Sequence, residues 1–440
     1  MNKTEPANGD TGTTPLEVAA TRARRKVQLG FGRLGPGLIT GAADDDPSGI
    51  ATYSQAGAQF GFNMQWTLIF TYPLMVAVQV ISARIGRATG NGLAANLLRI
   101  FPRSIVAALV AALFVANTIN IGADIAAMGA AAELLAGGGA MYFTVAAAAI
   151  SLLLQVLVPY HSYVRYLKWL TLVLFAYVGV AFAADIDWLE VATRIVNPDV
   201  EFSEAWIVMI VAVFGTTISP YLFFWQTAEE IEEMEMKDQP NLQELPPAAA
   251  RLQLRRMGID TFTGMALSNL IAFFIMLTTA VTLNQNGITD IQTSEQAAEA
   301  LRPVAGNLAF LLFSMGIIGT GFLAVPVLAG SAAYAVCDTW NLPSGLEKKP
   351  HEARTFYGVI VAAMLVALGV LFSPLDPIKM LFWSAVINGV IAVPIMAAMM
   401  IVARRHRQMG VFVATPWQRL LGWAATVAMA AAVGAMFVFA

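Results

Sequence analysis

The stretch Gly41–Gly49, with the sequence GAADDDPSG, decides the fold of this chain. It places three carboxylates and a helix breaker in the middle of an apolar segment that is long enough to cross a membrane. Carboxylates in such a segment are costly and are not expected to face lipid. Pro47 removes a helical hydrogen bond, and Gly49 loosens the backbone beside it. The stretch therefore predicts a discontinuous membrane helix whose free carbonyl groups and Asp46 carboxylate face a polar cavity.

The rest of the chain has the composition of a membrane protein. Of its 440 residues, 58% are hydrophobic and only 12% are charged, whereas soluble domains carry roughly 25% charged residues. Such a chain cannot cover its outside with charge, so we expect an all-α polytopic membrane protein. The single cysteine, Cys337, excludes a disulfide framework and a cysteine-cluster metal site. Nucleotide-binding loops and nucleic-acid-binding patterns are absent from the sequence, and no enzymatic constellation is visible.

Eleven segments are apolar enough to span a bilayer, which takes about 20 residues per helix. Helices are expected because lipid cannot satisfy free backbone groups. The segments are centred on residues 34–60, 63–83, 105–132, 141–159, 164–184, 205–228, 258–283, 304–333, 355–372, 378–402 and 417–439. Residues 1–30 are polar and are interpreted as a disordered cytoplasmic tail.

The basic residues predict the orientation of the chain. With a cytoplasmic N-terminus, only three of the 26 Lys and Arg residues fall on the outer side, namely Arg194, Arg302 and Lys379. Positive residues are kept on the cytoplasmic side of membrane proteins. We therefore expect a cytoplasmic N-terminus, an extracytoplasmic C-terminus and a location in the plasma membrane.

A second break of the same kind interrupts the sixth predicted span. Residues Gly215–Tyr221 read GTTISPY, and Pro220 lies 173 residues after Pro47. This spacing indicates two five-helix inverted repeats, 31–184 and 205–402, followed by an eleventh helix at 417–439. Interrupted helices at corresponding positions of two repeats are the best sequence indication of a transporter's central site.

The ligand atoms available at the two breaks are all oxygens. They are the Asp46 carboxylate, the backbone carbonyl groups that the breaks free, and the hydroxyls of Thr216, Thr217 and Ser219. Hard divalent cations prefer such ligands, and Mg²⁺ uses few carboxylates and keeps several waters. Asp44 and Asp45 fit either contact with the ion or the capping of a helix end.

Three motifs give the chain a family resemblance. Gly35–Leu38 (GPGL) opens the first span, and Asp46–Gly49 (DPSG) and Gly57–Gly61 (GAQFG) follow it. With these motifs the chain resembles the Nramp family of divalent metal transporters, over nearly all residues after 30. The resemblance implies a LeuT-like (APC) fold with broken first and sixth helices, and no cofactor.

Carried over by position, the family's metal ligands fall on a changed set of residues. The metal-binding Asp is Asp46, but the family's Asn falls on Gly49 and its Met falls on Ser219. The Ala whose carbonyl binds metal falls on Thr216. Loss of the thioether removes the ligand that favours soft metals, and the smaller side chains enlarge the site. The pattern looks like the Nramp-related magnesium transporter branch, which implies transport of Mg²⁺ and Mn²⁺.

The family's proton route is also changed. Its two sixth-helix His positions are Tyr221 and Gln226 here, and of its third-helix acid pair only Asp124 is present, with Ala127 at the second position. A Tyr, whose unperturbed pKa is about 10, is a poor proton carrier at neutral pH. We therefore expect uncoupled uptake driven by the membrane potential, although Asp124 leaves a proton role open.

Four further positions are candidates of lesser weight. Asn388 lies near the family's metal-contacting Gln, and Arg354 resembles an arginine of its inner gate. Asn117 and Asn120 face the same way as Asp124 on the third span, where lining the site and packing are both open.

The sequence thus predicts a monomeric secondary transporter that imports Mg²⁺ and accepts Mn²⁺. The broken helices would rock against the third, fourth, eighth and ninth spans, as the resemblance implies. Three alternatives stay open: a proton-coupled Mn²⁺/Fe²⁺ transporter, an amino-acid carrier, and a non-transporting metal sensor on the same scaffold.

Overall fold

The computed structural model describes residues 35–160, 162, 167, 171–200, 202–370 and 376–439. The predicted cytoplasmic tail, 1–30, lies outside these residues. Within them all regular structure is helical, as predicted. The helices are α1 Pro36–Asp44, α2 Pro47–Phe60, α3 Gln65–Thr89, α4 Leu93–Leu98, α5 Arg103–Ala136, α6 Ala140–Leu157, α7 Phe175–Ala183, α8 Trp188–Val196, α9 Glu204–Thr217, α10 Pro220–Met236, α11 Pro247–Thr282, α12 Ser294–Glu299, α13 Arg302–Ala305, α14 Ala309–Trp340, α15 Arg354–Val370, α16 Pro377–Ala403, α17 His406–Met409 and α18 Pro416–Phe439.

Eight helical stretches in the described part of the chain are long and apolar enough to cross a membrane. A ninth is counted if Thr171–Ala183 and Trp188–Val196, which meet at 111°, form one span. Each predicted span overlaps a described helix. However, one continuous helical stretch, Pro47–Thr89, contains both the second half of the first predicted span and the whole of the second. The number of eleven spans therefore stays a prediction.

Large apolar side chains cover much of the outer surface. Tyr142, Phe182 and Val427 are 81%, 82% and 63% exposed. A soluble monomer rarely exposes apolar surface on this scale, so the surface fits contact with lipid.

Two groups of helices position the breaks. Helices α5, α6, α14 and α15, which correspond to the predicted scaffold spans, pack against one another, and α1 and α2 pack on α11. Glycines bring the backbones close together. A Cβ added at Gly41 would lie 2.3 Å from the carbonyl oxygen of Gly264, and one at Gly215 would lie 2.1 Å from that of Ala385. Small residues allow such close helix contacts in membranes, and here they fix both broken helices to their neighbours.

Candidate metal-transport site

At each of the two breaks a proline deprives one carbonyl group of its helical donor. Helix α1 ends at Asp44 and α2 begins at Pro47, while α9 ends at Thr217 and α10 begins at Pro220. In a continuous helix the amide of residue i+4 would donate to the carbonyl of residue i. Because proline has no N–H, Pro47 and Pro220 leave the carbonyl groups of Ala43 and Thr216 without that partner. Both predicted breaks are therefore present, and they free equivalent carbonyl groups.

Hydroxyl groups approach both of these carbonyl groups. The Ser219 hydroxyl is 2.9 Å from the Thr216 carbonyl oxygen and 2.9 Å from that of Gly215, and its single hydrogen serves both. The Tyr221 hydroxyl lies 3.4 Å from the carbonyl oxygen of Ala43. A side chain of the second break thus reaches the backbone of the first, so the two breaks meet.

Asp46 lies where the two breaks meet. It caps the N-terminus of α2, where its Oδ1 accepts a hydrogen bond from the Gly49 amide at 2.6 Å. Its Oδ2 is 3.1 Å from Asn120 Nδ2 and 3.4 Å from the Tyr221 hydroxyl. The residue is only 2% exposed. A carboxylate has about four lone-pair positions, so three donors hold Asp46 in place and leave it able to bind a cation.

The two preceding carboxylates have a different partner. Ser268 on α11 lies 2.6 Å from Asp44 Oδ2 and 3.0 Å from Asp45 Oδ1 through its hydroxyl. Asp45, which was predicted to be a metal ligand, is therefore hydrogen-bonded to α11 and, in the described structure, has none of the hydrogen-bond partners of Asp46. No group of three or more His, Cys, Asp or Glu side chains in the described residues could form a metal cage. A bound ion would therefore depend on backbone and hydroxyl oxygens as well as on carboxylate.

Gly49 lies directly beside the second break. A Cβ at this position would be 3.2 Å from Thr216 Oγ1 and 3.4 Å from Asp46 Oδ1. Nearby, the Tyr53 hydroxyl is 3.2 Å from Thr217 Oγ1, a link between the breaks that sequence reasoning missed. Of the predicted site residues, the structure brings together Asp46, Gly49, Thr216, Ser219 and Tyr221.

Asn120 is a further member of this group. Besides its contact with Asp46, its Oδ1 lies 2.5 Å from the hydroxyl of Ser384 on α16. The sequence indicated a role for Asn120 only through its position one turn before Asp124. That position was equally compatible with lining the site and with packing against another helix. Nothing in the sequence pattern pointed to Ser384.

The remaining candidate residues differ in their burial and in their hydrogen-bond partners. Asp124 is fully buried, and neither carboxylate oxygen has a hydrogen-bond partner among the described residues; the same holds for Asn388 Oδ1. Gln226 donates to Glu230 at 3.0 Å. Arg354 is the exposed first residue of α15, and the described hydrogen bonds and ion pairs give it no contact with the breaks.

Ion pairs join three helices at the end of α3. Arg87 is paired with Glu230 and Glu233 on α10, and Glu233 is 3.5 Å from Arg256 on α11. We call these four residues the Arg87 cluster. The space beside it is only about 10 Å³, roughly one water molecule.

A much larger cavity lies beside the second half of α2. Its volume is about 540 Å³, and Gln55, Glu204, Asp290 and Lys379 are among its lining residues. The described residues that line this cavity do not include those of the two breaks, where Asp46, Thr216 and Ser219 are each buried.

Comparison with known proteins agrees with this architecture. The chain matches the family model described as Natural resistance-associated macrophage protein-like, Nramp, over residues 37–439. It is 24% identical to the divalent metal cation transporter MntH of Klebsiella pneumoniae subsp. pneumoniae over 93% of this chain and 94% of that protein. It is 25% identical to MntH of Caldanaerobacter subterraneus subsp. tengcongensis, over 92% and 94% of the two chains.

The fold has solved counterparts as well. The Eremococcus coleocola manganese transporter superimposes with a TM-score of 0.70 at 15% identity, covering 99% of this chain and 88% of that one. A mutant of the same transporter gives 0.69 at 16% identity, covering 92% and 85%. This similarity confirms the predicted LeuT-like fold class. Since the family match extends over nearly the whole sequence, the chain belongs to the Nramp family of divalent metal transporters.

Proposed function

We propose that this protein imports Mg²⁺ and accepts Mn²⁺, without proton coupling, as a member of the Nramp-related magnesium transporter branch. The observation that carries the proposal is the position of Ser219. Its hydroxyl and the Thr216 carbonyl group, 2.9 Å apart, occupy the place at the second break where typical family members present a thioether. Oxygen in place of sulfur favours hard cations over soft ones.

The absence of a side chain at Gly49 supports an ion that keeps part of its water. A Cβ there would lie 3.2 Å from Thr216 Oγ1 and 3.4 Å from Asp46 Oδ1, so a larger residue would crowd the oxygens that would hold the ion. Mg²⁺ loses its waters reluctantly and is commonly bound through one or two carboxylates. Asp46 would bind the ion directly, and the hydroxyl and carbonyl oxygens of the second break would accept hydrogen bonds from its waters.

Uncoupled transport is supported by the group at the family's first His position. Tyr221 places its hydroxyl 3.4 Å from both Asp46 Oδ2 and the Ala43 carbonyl oxygen, so its role is to shape the pocket and bridge the breaks. Inward movement of a doubly charged ion is driven by about 4.6 kcal/mol per 100 mV of membrane potential. With a cytoplasmic N-terminus, the wide cavity at Gln55 would face outward in the plasma membrane.

The names of the relatives favour one alternative. Two are divalent metal cation transporters and the solved neighbour is a manganese transporter. A proton-coupled Mn²⁺/Fe²⁺ transporter would use Asp124, the buried carboxylate whose oxygens have no hydrogen-bond partner in the described structure.

The deciding experiment uses proteoliposomes loaded with a Mg²⁺-sensitive dye or with a pH dye. Mg²⁺ influx without acidification is expected for the wild type, and Asp46→Ala should abolish it in a protein that remains folded. Asp185→Ala, which removes an exposed carboxylate that does not line the wide cavity at Gln55, is the control and should keep most of the influx. Mn²⁺ influx with acidification and no Mg²⁺ signal would establish the alternative instead.

A further inference from the structure

The amide of Asn120 joins the Asp46 carboxylate to α16. It lies on α5, fully buried, between the ion-binding carboxylate and α16. Its Nδ2 is 3.1 Å from Asp46 Oδ2, and its Oδ1 is 2.5 Å from Ser384 Oγ. The two ends of the amide thus face two different groups, one of them at the centre of the transport site.

The Ser384 hydroxyl is compatible with either orientation of this amide. Its oxygen is within reach of both Asn120 Oδ1, at 2.5 Å, and the Leu381 carbonyl oxygen, at 2.7 Å. A hydroxyl has one hydrogen to donate and two lone pairs with which to accept. It can donate to Asn120 Oδ1, or it can donate to Leu381 and accept a hydrogen bond from the Asn120 amide nitrogen. A half-turn of the amide therefore leaves no polar atom without a partner on the Ser384 side.

The distance to Asp46 is one that two ligands of a single ion can have. In octahedral Mg²⁺ coordination with oxygens at about 2.1 Å, neighbouring oxygens are about 3.0 Å apart. The Asn120 atom that faces Asp46 Oδ2 is 3.1 Å from it. After a half-turn of the amide that atom is an oxygen. Two such oxygens repel each other without a cation and are both favourable when a cation lies between them.

We propose that Asn120 is an additional ligand of the transported ion and that its amide turns over when the ion binds. Before binding, the amide nitrogen donates to Asp46 and neutralises part of its field. During binding, the oxygen turns toward the ion and Ser384 accepts the nitrogen. This inference rests on the proposed transport site at Asp46. It also supplies, from α5, the amide ligand that the family carries at the position of Gly49.

The test separates a ligand from a residue that only positions Asp46. Asn120→Leu removes both ends of the amide, whereas Asn120→Asp keeps an oxygen and removes the N–H donors. Asn117→Leu is the matched control, because Asn117 is buried one turn earlier and donates instead to the Leu328 carbonyl and Ser331. The measurements are KM and kcat of Mg²⁺ uptake in proteoliposomes, with Asp46→Ala in parallel.

We expect Asn120→Leu to raise KM for Mg²⁺ by at least about tenfold to a hundredfold, since that is already the effect of losing a group that only orients a metal ligand. Asn120→Asp should lower KM and slow turnover, because a charged oxygen holds the ion more tightly. Equal increases of KM in Asn120→Leu and Asn120→Asp would overturn the ligand role, since loss of the N–H donor alone would then explain both. An effect of Asn120→Leu no larger than that of Asn117→Leu would overturn it too. Retained uptake in Asp46→Ala would instead refute the transport site itself.

Discussion

Gly49 and Thr216 face each other across the two breaks, so closely that a Cβ on Gly49 would lie 3.2 Å from the Thr216 hydroxyl oxygen. Gly49 belongs to α2 and Thr216 to α9, which places the two broken helices in contact at the proposed ion site. The absence of a side chain at Gly49 is what keeps space beside Asp46 Oδ1. The size of the ion that fits, with its waters, should therefore depend on this residue.

Gly49→Ala should reduce Mg²⁺ uptake more than Mn²⁺ uptake. The added methyl group is tighter against Thr216 than an ordinary contact, and overpacking of this kind costs about 1–3 kcal/mol. We expect the ratio of Mg²⁺ to Mn²⁺ initial rates to fall about tenfold. Gly258→Ala is the control, because a Cβ there meets nothing within 4 Å. If Gly49→Ala reduced Mg²⁺ uptake and Mn²⁺ uptake equally, the proposal that the size of the site selects the ion would be contradicted.

Ser219→Met should shift selectivity toward softer ions. The substitution replaces a hydroxyl that lies 2.9 Å from the Thr216 carbonyl oxygen with a thioether. Sulfur ligands favour soft metals, so Cd²⁺ and Mn²⁺ should compete more effectively with Mg²⁺ in uptake assays, by about tenfold, the effect of roughly 1.4 kcal/mol.

Ser219→Ala tests whether the selectivity shift in Ser219→Met is caused by the added sulfur or by the loss of the Ser219 hydroxyl. This variant removes the same hydrogen bonds to Gly215 and Thr216 without adding a soft ligand. It should weaken Mg²⁺ uptake without strengthening competition by Cd²⁺. If both variants responded to Cd²⁺ in the same way, the proposed role of sulfur would be wrong.

The two breaks could be predicted because their cause is local. Pro47 and Pro220 each act on a carbonyl group four residues earlier, and the composition around them is that of a membrane span. The family resemblance then indicated which side chains stand at the ligand positions, and the structure brings five of them together. The ion that these residues bind cannot be deduced from a local rule of this kind.

Contacts between distant helices could not be predicted in this way. Asn120 and Asp46 are 74 residues apart, and Ser384 and Asn120 are 264 apart. Helical periodicity placed Asn120 on a face of α5 but did not say what that face meets. For the same reason the sequence could not show that Ser268 holds Asp45, or that Gln226 bonds to Glu230 of the Arg87 cluster.

Asp124→Asn should leave Mg²⁺ uptake and the internal pH trace essentially unchanged. The side chain is buried and neither oxygen has a hydrogen-bond partner in the described structure. If transport is uncoupled, replacing its titratable carboxyl with an amide of the same shape removes no step. Asp46→Asn, the same change at the ion ligand, should abolish uptake. A wild-type acidification signal that disappears in Asp124→Asn would contradict uncoupled transport and assign Asp124 the proton role.

Arg87→Gln should strongly destabilise the protein. The Arg87 and Glu230 side chains are only 6% and 1% exposed, so the substitution removes the buried cation from Glu230 and leaves Glu233 with Arg256. Breaking a buried ion pair from one side costs about 3–5 kcal/mol.

The control for this prediction is Arg302→Gln, the corresponding change at the surface. The Arg302 side chain is 60% exposed where it pairs with Glu299, and exposed ion pairs contribute about 0–1 kcal/mol. In thermal unfolding of the detergent-solubilised protein we expect a large decrease in Tm for Arg87→Gln and almost none for Arg302→Gln. Similar Tm values for the two variants would mean that the Arg87 cluster does not hold α3 to α10.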